Sequence, residues 1–544
     1  MKSFDSNFAT LIVHSGSETQ HLQVAVGTCV RDALDTTSIR VRAACGGTGS
    51  CGACVINYLS GAVNLTTLAE YQKLSATERQ EGIRLACQMR ILGDTELVLE
   101  HPAHISGWKS IAPEDLIAVM GHLPELKHSI YGLAVDLGTT HIRISLWNRK
   151  TGQRIANRSG FNPQAVFGAD VLNRLNAALL TETRSHELAQ LARDAVIEAL
   201  RDILARDIGE VSPMLKEIGS VIIAGNTAML ALLSRYGADQ LLNPDNWQRP
   251  INCQPLAHGT WQSEWNLPNA EIKLVPALAG FVGSDLTADI IGTRLTESAG
   301  AGLLVDIGTN TELALWDGSR LLVTSVPGGP AFEGVGIRNG MSAEHGAIYR
   351  AERMIDSHAP KLSTLGAATA KGYCGSGLID MIAILLETGL LKPSGRFSQN
   401  PGPDGFIADP DNSKTALMPS DVDALQRAKA AIATAMETLL TSAGLTWQNI
   451  ERLCVCGAFG RHLNITHAQA IGLLPSMENG EIELYANATL AGCEIALLNE
   501  GKNLFDHYAS LTQVINLSYV PGYDDLYINN LRLRPFLMHS VINT

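Results

Sequence analysis

Apolar and polar positions near the start of the chain follow the pattern of a small sheet. Apolar runs at 10–13 and 22–26 flank a polar Ser-Gly-Ser turn, which predicts a β-hairpin. Residues 30–34 predict a short helix, and residues 55–59 and 96–100 predict two further strands. This order of elements predicts a small α+β domain at the start of the chain.

Further along, one pattern occurs twice. An apolar strand leads into an aspartate, a Gly-Thr turn and a returning strand, and the second copy begins 170 residues after the first. A turn with Asp and Gly is common in any hairpin, but two matched copies predict two related lobes. The turn residues are Asp136, Gly138, Thr139 and Thr140 in the first copy and Asp306, Gly308, Thr309 and Asn310 in the second.

Each hairpin is followed by an apolar strand that ends in glycine and leads into a helix. The residues at these two ends are Gly225, Asn226 and Thr227 in the first half and Gly457, Ala458, Phe459, Gly460 and Arg461 in the second. Backbone N–H groups and threonine hydroxyls in such turns bind phosphate oxygens, and an aspartate beside them holds Mg²⁺ directly or through water. The two hairpins are therefore predicted to hold the phosphates of one nucleotide between the lobes.

Length and composition exclude several classes of protein. A chain of 544 residues is too long for one core, so we expect three or four lobes. The net charge of −13 argues against a nucleic-acid partner. No apolar run reaches the length of a membrane span, and the first residues lack the apolar stretch of a signal peptide. We therefore expect a cytoplasmic protein, in which cysteines serve as metal ligands or core residues rather than in disulfides.

Four of the ten cysteines are clustered. Cys45, Cys51 and Cys54 stand in one glycine-rich loop, and Cys87 follows 33 positions after Cys54. A two-iron cluster takes four thiolates, and glycines let a loop wrap around it. The alternatives are a zinc site or a set of buried thiols, but zinc sites usually consist of two short cysteine pairs. The spacing therefore favours a 2Fe–2S cluster.

Both halves resemble known families. The cysteine spacing is similar to that of adrenodoxin-like 2Fe–2S ferredoxins, which implies a β-grasp fold. The order of hairpins and strand–glycine segments resembles the ATPase fold shared by actin, sugar kinases and heat-shock chaperones (the ASKHA superfamily), which is a two-lobed α/β domain. That resemblance implies that residues 457–461 cover the adenosine of ATP and that residues 225–227 lie at the hinge between lobes.

Three residues are candidates for catalysis. Asp285 opens a predicted helix, at a point where sugar kinases of this superfamily place a catalytic base, and it could orient the water that attacks the γ-phosphate. The alternative is a helix N-cap, a common role for aspartate. Glu333 lies in the Pro/Gly-rich loop after the second hairpin and is a candidate for contact with the γ-phosphate or a partner. Asp306 is the third candidate, at the predicted Mg²⁺ position.

The whole chain resembles the reductive activators of corrinoid proteins. The resemblance rests on the fusion of the two modules and on three further motifs: Pro327-Gly-Gly-Pro-Ala-Phe-Glu333-Gly, Arg338-Asn-Gly-Met341 and Gly372-Tyr-Cys374-Gly-Ser-Gly377-Leu-Ile-Asp380. It implies that the chain uses ATP to pass one electron from its cluster to the Co(II) corrinoid protein of a methyltransferase system, restoring Co(I). It also implies an unidentified low-potential electron donor and suggests a homodimer.

The expected domains are a ferredoxin at 1–102, a linker at 103–128, and ATPase lobes at 129–300 and 301–544. Only 49 positions separate Cys87 from Asp136, so we expect a short form that lacks the additional middle domain of described activators. Two other functions remain open. The chain could be a nucleotide-gated, redox-sensing, chaperone-like ATPase that reduces no corrinoid, or a small-molecule kinase, although no sugar-like polar pocket is evident in the sequence.

Overall fold

The computed structural model describes most of the chain. The described residues are 8–16, 18–43, 45–103, 107–119, 130–168, 170–298, 300–354, 359–457, 459–477, 480–499 and 504–536. Within these ranges, no helix combines the length and the apolar character needed to cross a membrane.

The first domain is a five-stranded sheet in the order β2-β1-β5-β3-β4, with three short helices. Its elements are β1 (Phe8–Ser15), β2 (Glu18–Ala25), α1 (Val30–Asp35), β3 (Val55–Val63), α2 (Leu68–Lys73), α3 (Ala76–Gln80), β4 (Ile83–Leu85) and β5 (Ile91–Val98). The hairpin β1–β2 and the helix α1 lie where the apolar pattern predicted them. The prediction of a β-grasp ferredoxin fold is confirmed. Strand β4 has only three residues, and the sequence pattern missed it.

A second sheet, in the order β10-β9-β6-β7-β8, forms the first half of the ATPase-like module. Its strands are β6 (Tyr131–Leu137), β7 (His141–Asn148), β8 (Gln153–Phe161), β9 (Ile218–Ala224) and β10 (Glu271–Leu274). The helices are α4 (Val171–Leu180), α5 (Glu182–Ile203), α6 (Ser212–Leu215), α7 (Thr227–Ser234), α8 (Ala238–Leu241), α9 (His258–Ser263) and α10 (Ser284–Thr293).

The last part of the chain contains a six-stranded sheet in the order β20-β19-β11-β12-β13-β21 and two smaller sheets. The strands are β11 (Ala301–Ile307), β12 (Thr311–Trp316), β13 (Leu321–Val326), β14 (Ala347–Glu352), β15 (Lys361–Thr364), β16 (Gly372–Tyr373), β17 (Phe406–Ile407), β18 (Ala416–Leu417), β19 (Ile450–Gly457), β20 (Glu481–Tyr485) and β21 (Thr512–Val514). The helices are α11 (Gly375–Glu387), α12 (Pro419–Ala443), α13 (Ile465–Ala470), α14 (Ala488–Leu498), α15 (Leu504–Leu511) and α16 (Tyr523–Asn530).

The two large sheets have the same topology. In each, three antiparallel strands (β6–β8 and β11–β13) are extended on one side by a parallel strand, β9 or β19. Asp136 pairs with Ala224, directly before Gly225, and Asp306 pairs with Cys456, directly before Gly457. The equivalent register places a hairpin aspartate beside a strand-ending glycine in both halves. The duplicated motif therefore does correspond to a two-lobed α/β ATPase fold, as predicted.

Helices α10 and α14 join the two lobes by crossing closely. A Cβ added to Gly492 of α14 would lie 1.9 Å from the carbonyl oxygen of Ala288 in α10, and one added to Gly292 would lie 2.3 Å from that of Ala488. Helix α14 also packs on the first ATPase sheet through Leu490 and Leu497, beside Trp147 and Ile222. Because α14 lies between β20 and β21 of the second sheet in sequence but covers the first sheet, it packs the two lobes together.

Residues 107–119 of the linker lie packed against both lobes. Trp108 is buried against Gly160 of β8, and Lys109 exchanges backbone hydrogen bonds with Ser159. The Ser110 amide donates to the Asp35 carbonyl of the ferredoxin domain. This segment therefore connects the ferredoxin to the first lobe by specific bonds.

Candidate functional site

A cavity of about 130 Å³ lies between the two lobes, at the turns of the two hairpins. It is lined by residues from both hairpins, from the start of α10, from the loop after β13 and from the start of α14. The lining residues are Asp136, Gly138, Thr139, Thr140, His141, Arg143, Asn226, Asp285, Asp289, Asp306, Gly308, Thr309, Asn310, Glu312, Glu333, Gly457, Ala486, Asn487, Ala488 and Thr489.

The backbone at these turns leaves little room beyond hydrogen. The loop after β13 crosses the second hairpin so closely that a Cβ on Gly329 would lie 1.4 Å from the Gly308 carbonyl oxygen. In the same loop, Glu333 accepts a hydrogen bond of 3.0 Å from the Thr309 hydroxyl. Asn226 caps helix α7 and donates 2.9 Å to the Thr139 hydroxyl. The two threonines are therefore oriented by side chains from outside their own hairpins.

Carboxylates converge on the floor of the cavity. Asp285 and Asp289 stand one helical turn apart on α10, and Asp306 and Glu312 of the second hairpin line the same space. Glu312 accepts 3.1 Å from the Gly283 amide and Asp289 accepts 2.8 Å from the Thr489 hydroxyl, but the second carboxylate oxygen of each is buried without a hydrogen-bond partner. Asp285 is not the N-cap of α10, because Gly283 occupies that position.

Burial and mutual repulsion shift the pKa of each acid upward. Burial raises the pKa of Asp285 to about 6 and that of Asp306 to about 7, and the charge of Asp136 adds to both shifts. Burial also raises the pKa values of Asp289 and Glu312 well above the ordinary range. The side chains around these acids therefore supply too little positive charge to balance them when they are ionised.

A cation would meet this need. Arg143 forms an ion pair of 3.0 Å with Asp136, but burial still raises the pKa of that carboxyl. Among the described residues, no three His, Cys, Asp or Glu side chains already surround one metal position. Mg²⁺ usually binds through one or two carboxylates, with waters and substrate phosphates completing the shell. Asp136 and Asp306, one from each hairpin, fit that mode of binding.

The other predicted nucleotide residues lie around the cavity rather than in its wall. The Thr227 hydroxyl donates 2.9 Å to the Ala279 carbonyl, and the Gly225 amide donates 3.1 Å to the Ser284 hydroxyl. Phe459 is buried edge-to-face against Phe332 at 5.3 Å. Gly460 begins a turn of 3₁₀-helix, and Ala458 lies outside the described residues.

Arg461 points away from the cavity. It forms ion pairs with Glu114 at 3.1 Å and Asp115 at 3.5 Å in the linker. Its guanidinium also lies 5.9 Å from the ring centroid of Phe8 in the ferredoxin domain. Of the loop predicted to cover adenosine, Gly457 therefore lines the cavity, whereas Arg461 contacts the linker and the ferredoxin.

The sequence patterns did not predict eight of the residues that line the cavity. They are His141, Arg143, Asp289, Glu312, Ala486, Asn487, Ala488 and Thr489. Asp289 and Glu312 carried a signal, because charged residues in otherwise apolar stretches need partners or a ligand. The segment at the start of α14 carried none, because its place in the cavity depends on the crossing of α10 and α14.

The four cysteines of the ferredoxin domain meet in two pairs. Cys45 interacts with Cys51 and Cys54 with Cys87, and none of the four is in a disulfide. The bond from Cys54 lowers the pKa of Cys87 to about 7. Although burial opposes it, hydrogen bonds from Cys51 and Thr48 lower the pKa of Cys45 to about 6.

This donor set fits a two-iron cluster, which takes two thiolates for each iron. The loop reaches this arrangement because glycines adopt left-handed conformations on it, with φ of 60° at Gly46 and 86° at Gly47. The Ala53 backbone amide donates 3.4 Å to the Cys51 sulfur, and the Gln88 side-chain amide donates 3.6 Å to the Cys87 sulfur. Such N–H groups stabilise thiolates, and the cysteine ligands of a cluster must be thiolates.

Comparisons with known proteins cover almost the whole chain. Residues 13–92 match the model of a 2Fe-2S iron-sulfur cluster binding domain, residues 131–298 match the RACo middle region, and residues 301–541 match the C-terminal domain of RACo, the ASKHA domain. A solved structure, a reductive activator for corrinoid,iron-sulfur protein, superposes with a TM-score of 0.61 and 25% identity. That match covers 98% of this chain and 100% of the other.

The chain belongs to the family of reductive activators of corrinoid proteins. The corrinoid activation enzyme RamQ of Eubacterium limosum is 29% identical over 75% of this chain and 71% of its own. The [Co(II) methylated amine-specific corrinoid protein] reductase of Methanosarcina barkeri is 25% identical over 66% of this chain and 69% of its own.

The expectation of a short form without a middle domain is wrong. The family's middle region is present at residues 131–298 and contains the first hairpin, around Asp136. The distance between Cys87 and Asp136 is uninformative, because the middle region begins just before Asp136 and extends beyond it. The segment predicted as the first ATPase lobe is therefore the middle region itself.

Proposed function

We propose that this protein is an ATP-dependent activator that passes one electron to the Co(II) corrinoid protein of a methyltransferase system and restores Co(I). One observation carries the proposal: a paired four-cysteine loop and an acid-lined interlobe cavity occur in a single chain of this family. Two relatives, a corrinoid activation enzyme and a Co(II) corrinoid protein reductase, support the same substrate class.

The cysteine loop would hold the electron carrier. Cys45 and Cys51 would bind one iron, and Cys54 and Cys87 the other, following the two thiol pairs. When bound, a 2Fe–2S cluster supplies one electron at a time, which matches the step from Co(II) to Co(I). The protein's own residues keep the thiolates available by donating N–H groups to their sulfurs.

The interlobe cavity would bind Mg·ATP. Thr139, Thr140, Thr309 and the backbone of both turns would hold phosphate oxygens, with Asp136 and Asp306 around Mg²⁺. Asp285 is the proposed base for the attacking water, and Glu333 orients Thr309 beside it. The other proposed nucleotide contacts are Gly138, Asn226, Gly308, Asn310 and Gly457.

The position of the cavity between two lobes supports two conformational states. The lobes could close on bound ATP around the α10–α14 crossing. ATP can drive an unfavourable electron transfer only if it binds such states with different affinities.

A chain of bonds connects the cavity to the linker. Asn487 lines the cavity, and its side-chain amide donates 2.8 Å to the Asp115 carbonyl. Arg461, four residues after the cavity residue Gly457, pairs with Glu114 and Asp115. Movement of either lobe on binding ATP would therefore pull on the linker and, through it, on the ferredoxin domain.

The setting of the reaction is also proposed. The protein would work in the cytoplasm, with a low-potential electron donor and the corrinoid protein as its two partners. Homodimer formation rests on family resemblance and can be measured by analytical ultracentrifugation of the holoprotein.

The proposal is tested anaerobically with the holoprotein, an artificial reductant and a Co(II) corrinoid protein. We expect the Co(I) absorbance band to appear with Mg·ATP and not with Mg·ADP. Cys51→Ala should abolish the band while ATP binding persists, and Asp306→Ala should abolish ATP binding while the cluster persists. A band of equal size without ATP, or no band with any corrinoid partner, would refute the proposal.

The second candidate is a redox-sensing, chaperone-like ATPase, favoured by the direct bonds between linker and cavity. In that case, oxidation or reduction of the cluster would change the rate of ATP hydrolysis, and no corrinoid protein would be reduced. Measurement of ATPase rates in both redox states, with and without the corrinoid protein, separates the two functions.

A further inference from the structure

The cysteine loop of the ferredoxin domain rests directly on the middle region. The Gly46 amide, next to Cys45, donates 3.1 Å to the Arg206 carbonyl. A Cβ on Gly46 would lie 2.0 Å from the Asp207 carbonyl oxygen, so a larger residue cannot occupy this position without separating the two domains. The cluster site is therefore built in part against the helical turn at Leu204–Ile208.

Charged side chains fill the same interface. Asp35 of the ferredoxin lies 2.6 Å from Arg206, and Arg40 lies 3.0 Å from Asp202. Arg158 of strand β8 pairs with Asp202 and, at 2.7 Å, with Asp207. Arg31 of α1 pairs with Asp207 across the interface and lies 3.5 Å from Asp35 within its own helix. The side chains of Asp202 and Asp207 are only 18% and 14% exposed, so water screens these charges weakly.

Arg31 is the member of this network that lies beside the cysteines. Its backbone amide donates 3.1 Å to the Ala86 carbonyl, the residue before Cys87. On the other side, a Cβ on Gly47 would lie 3.2 Å from its guanidinium nitrogen. Its buried positive charge is thus held between the cysteine loop and the segment that carries the fourth ligand.

We propose that Arg31 and Asp207 form a pair that sets the reduction potential of the cluster, so that a residue of the middle region tunes the ferredoxin domain. The proposal rests on cluster binding by the four cysteines, and not on the identity of the electron acceptor. It assigns a functional role to an interdomain ion pair that would otherwise count only as a docking contact.

The direction of the effect follows from charge. Reduction adds one negative charge to the cluster, and the potential of such centres depends on nearby charge, hydrogen bonds and exposure to solvent. The Arg31 guanidinium favours the reduced state. Asp207 offsets that charge and lowers the potential. A lower potential favours electron transfer to an acceptor that is difficult to reduce, such as a Co(II) corrinoid. Asp207→Asn should therefore raise the potential, and Arg31→Gln should lower it.

The experiment is a potentiometric titration of the holoprotein, followed by the EPR signal of the reduced cluster, without ATP or corrinoid protein. Asp202→Asn is the matched control, because Asp202 is equally buried, also pairs with two arginines and shares Arg158, but does not contact Arg31. We expect the midpoint potential to rise in Asp207→Asn, to fall in Arg31→Gln and to stay at the wild-type value in Asp202→Asn.

Simple loosening of the interface would shift Asp207→Asn and Asp202→Asn in the same direction, and that result would overturn the proposal, as would an unchanged potential in Asp207→Asn. If Asp207→Asn does not assemble a cluster, Arg31→Lys and Arg31→Gln decide. The lysine variant should keep the wild-type potential, and equal shifts in both would overturn the proposal. Because no corrinoid is present, the outcome is independent of the assay for Co(I).

Discussion

Replacing Asp306 by Asn should stabilise the nucleotide-free protein at alkaline pH. Asp306 is buried, and burial, together with Asp285 and Asp136, raises its pKa from 3.8 to about 7. A buried acid with a raised pKa binds a proton more tightly in the folded state than in the unfolded state. Its contribution to the free energy of unfolding is therefore lost as pH rises from about 4 to about 7. Asparagine carries no such penalty.

The magnitude follows from the pKa shift. A shift of one unit is worth about 1.4 kcal/mol, so the raised pKa of Asp306 lowers the free energy of unfolding by about 4 kcal/mol at pH 8 and by about 2 kcal/mol at pH 5. The Asn variant should therefore melt several degrees above the wild type at pH 8, with a smaller difference at pH 5. Its loss of Mg·ATP binding should accompany the gain in stability.

The assay is thermal unfolding of nucleotide-free holoprotein, in chelator, at both pH values. Asp317→Asn is the control, because Asp317 begins the turn that follows β12 of the same hairpin. Although burial opposes it, hydrogen bonds from Arg320 and Ser319 lower the pKa of Asp317 to about 2, so its Asn variant should lose stability at pH 8. An Asp306→Asn variant that melts at or below the wild-type temperature at pH 8, or whose gain is the same at pH 5, would refute the reasoning.

Three further predictions concern other parts of the molecule. Gly492→Ala would place a methyl group 1.9 Å from a carbonyl oxygen of the facing helix and should lower the free energy of unfolding by about 1–3 kcal/mol. Gly259→Ala, with open space around it, should change it by no more than about 0.5 kcal/mol, and equal melting temperatures of the two variants would contradict a tight interlobe crossing. Asp285→Asn should lower kcat for ATP hydrolysis about 100-fold or more with KM changed only a few-fold, as for loss of a general base, and a loss below tenfold would exclude that role. Arg461→Ala should leave ATP binding intact, but Mg·ATP should no longer change the proteolysis of the linker. If Mg·ATP still changes linker cleavage in the variant as it does in the wild type, this ion pair carries no signal.

Local patterns predicted the parts of this molecule that depend on local backbone chemistry. The glycine-rich spacing of Cys45, Cys51 and Cys54 predicted the loop, because few sequences can wrap four sulfurs around a small centre. The repeat of Asp136 and Asp306 predicted twin sheets, because a strand, a tight turn and a returning strand are specified by adjacent residues.

Features that depend on distant segments were not predictable in this way. Helix α14 covers the sheet of the opposite lobe, so nothing near Asn487 indicates that it lines the cavity. Arg461 follows a motif that suggests nucleotide contact, yet its partners lie almost 350 positions earlier, in the linker. The pairing of Arg31 with Asp207 joins residues 176 positions apart. Such ion pairs are set by how domains dock, which no periodicity records.

The wrong prediction of a missing middle domain has a related cause. The 49 positions between Cys87 and Asp136 leave no room for a middle domain only if the first hairpin belongs to the ATPase alone. The middle region and the C-terminal ASKHA domain carry equivalent sheets, and the ligand cavity lies between them. A duplicated motif shows that two lobes are related, but not how a family divides them into domains.

The central claim is that ATP drives one electron from this chain's cluster to Co(II), and a single-turnover measurement tests it most directly. Holoprotein is reduced, freed of excess reductant and mixed anaerobically with a Co(II) corrinoid protein, and the EPR signal of the cluster and the Co(I) absorbance are followed together. The account predicts that little changes until Mg·ATP is added, after which one Co(I) forms for each cluster oxidised. Co(I) formation at the same rate and to the same extent without ATP, or cluster oxidation without Co(I), would contradict it.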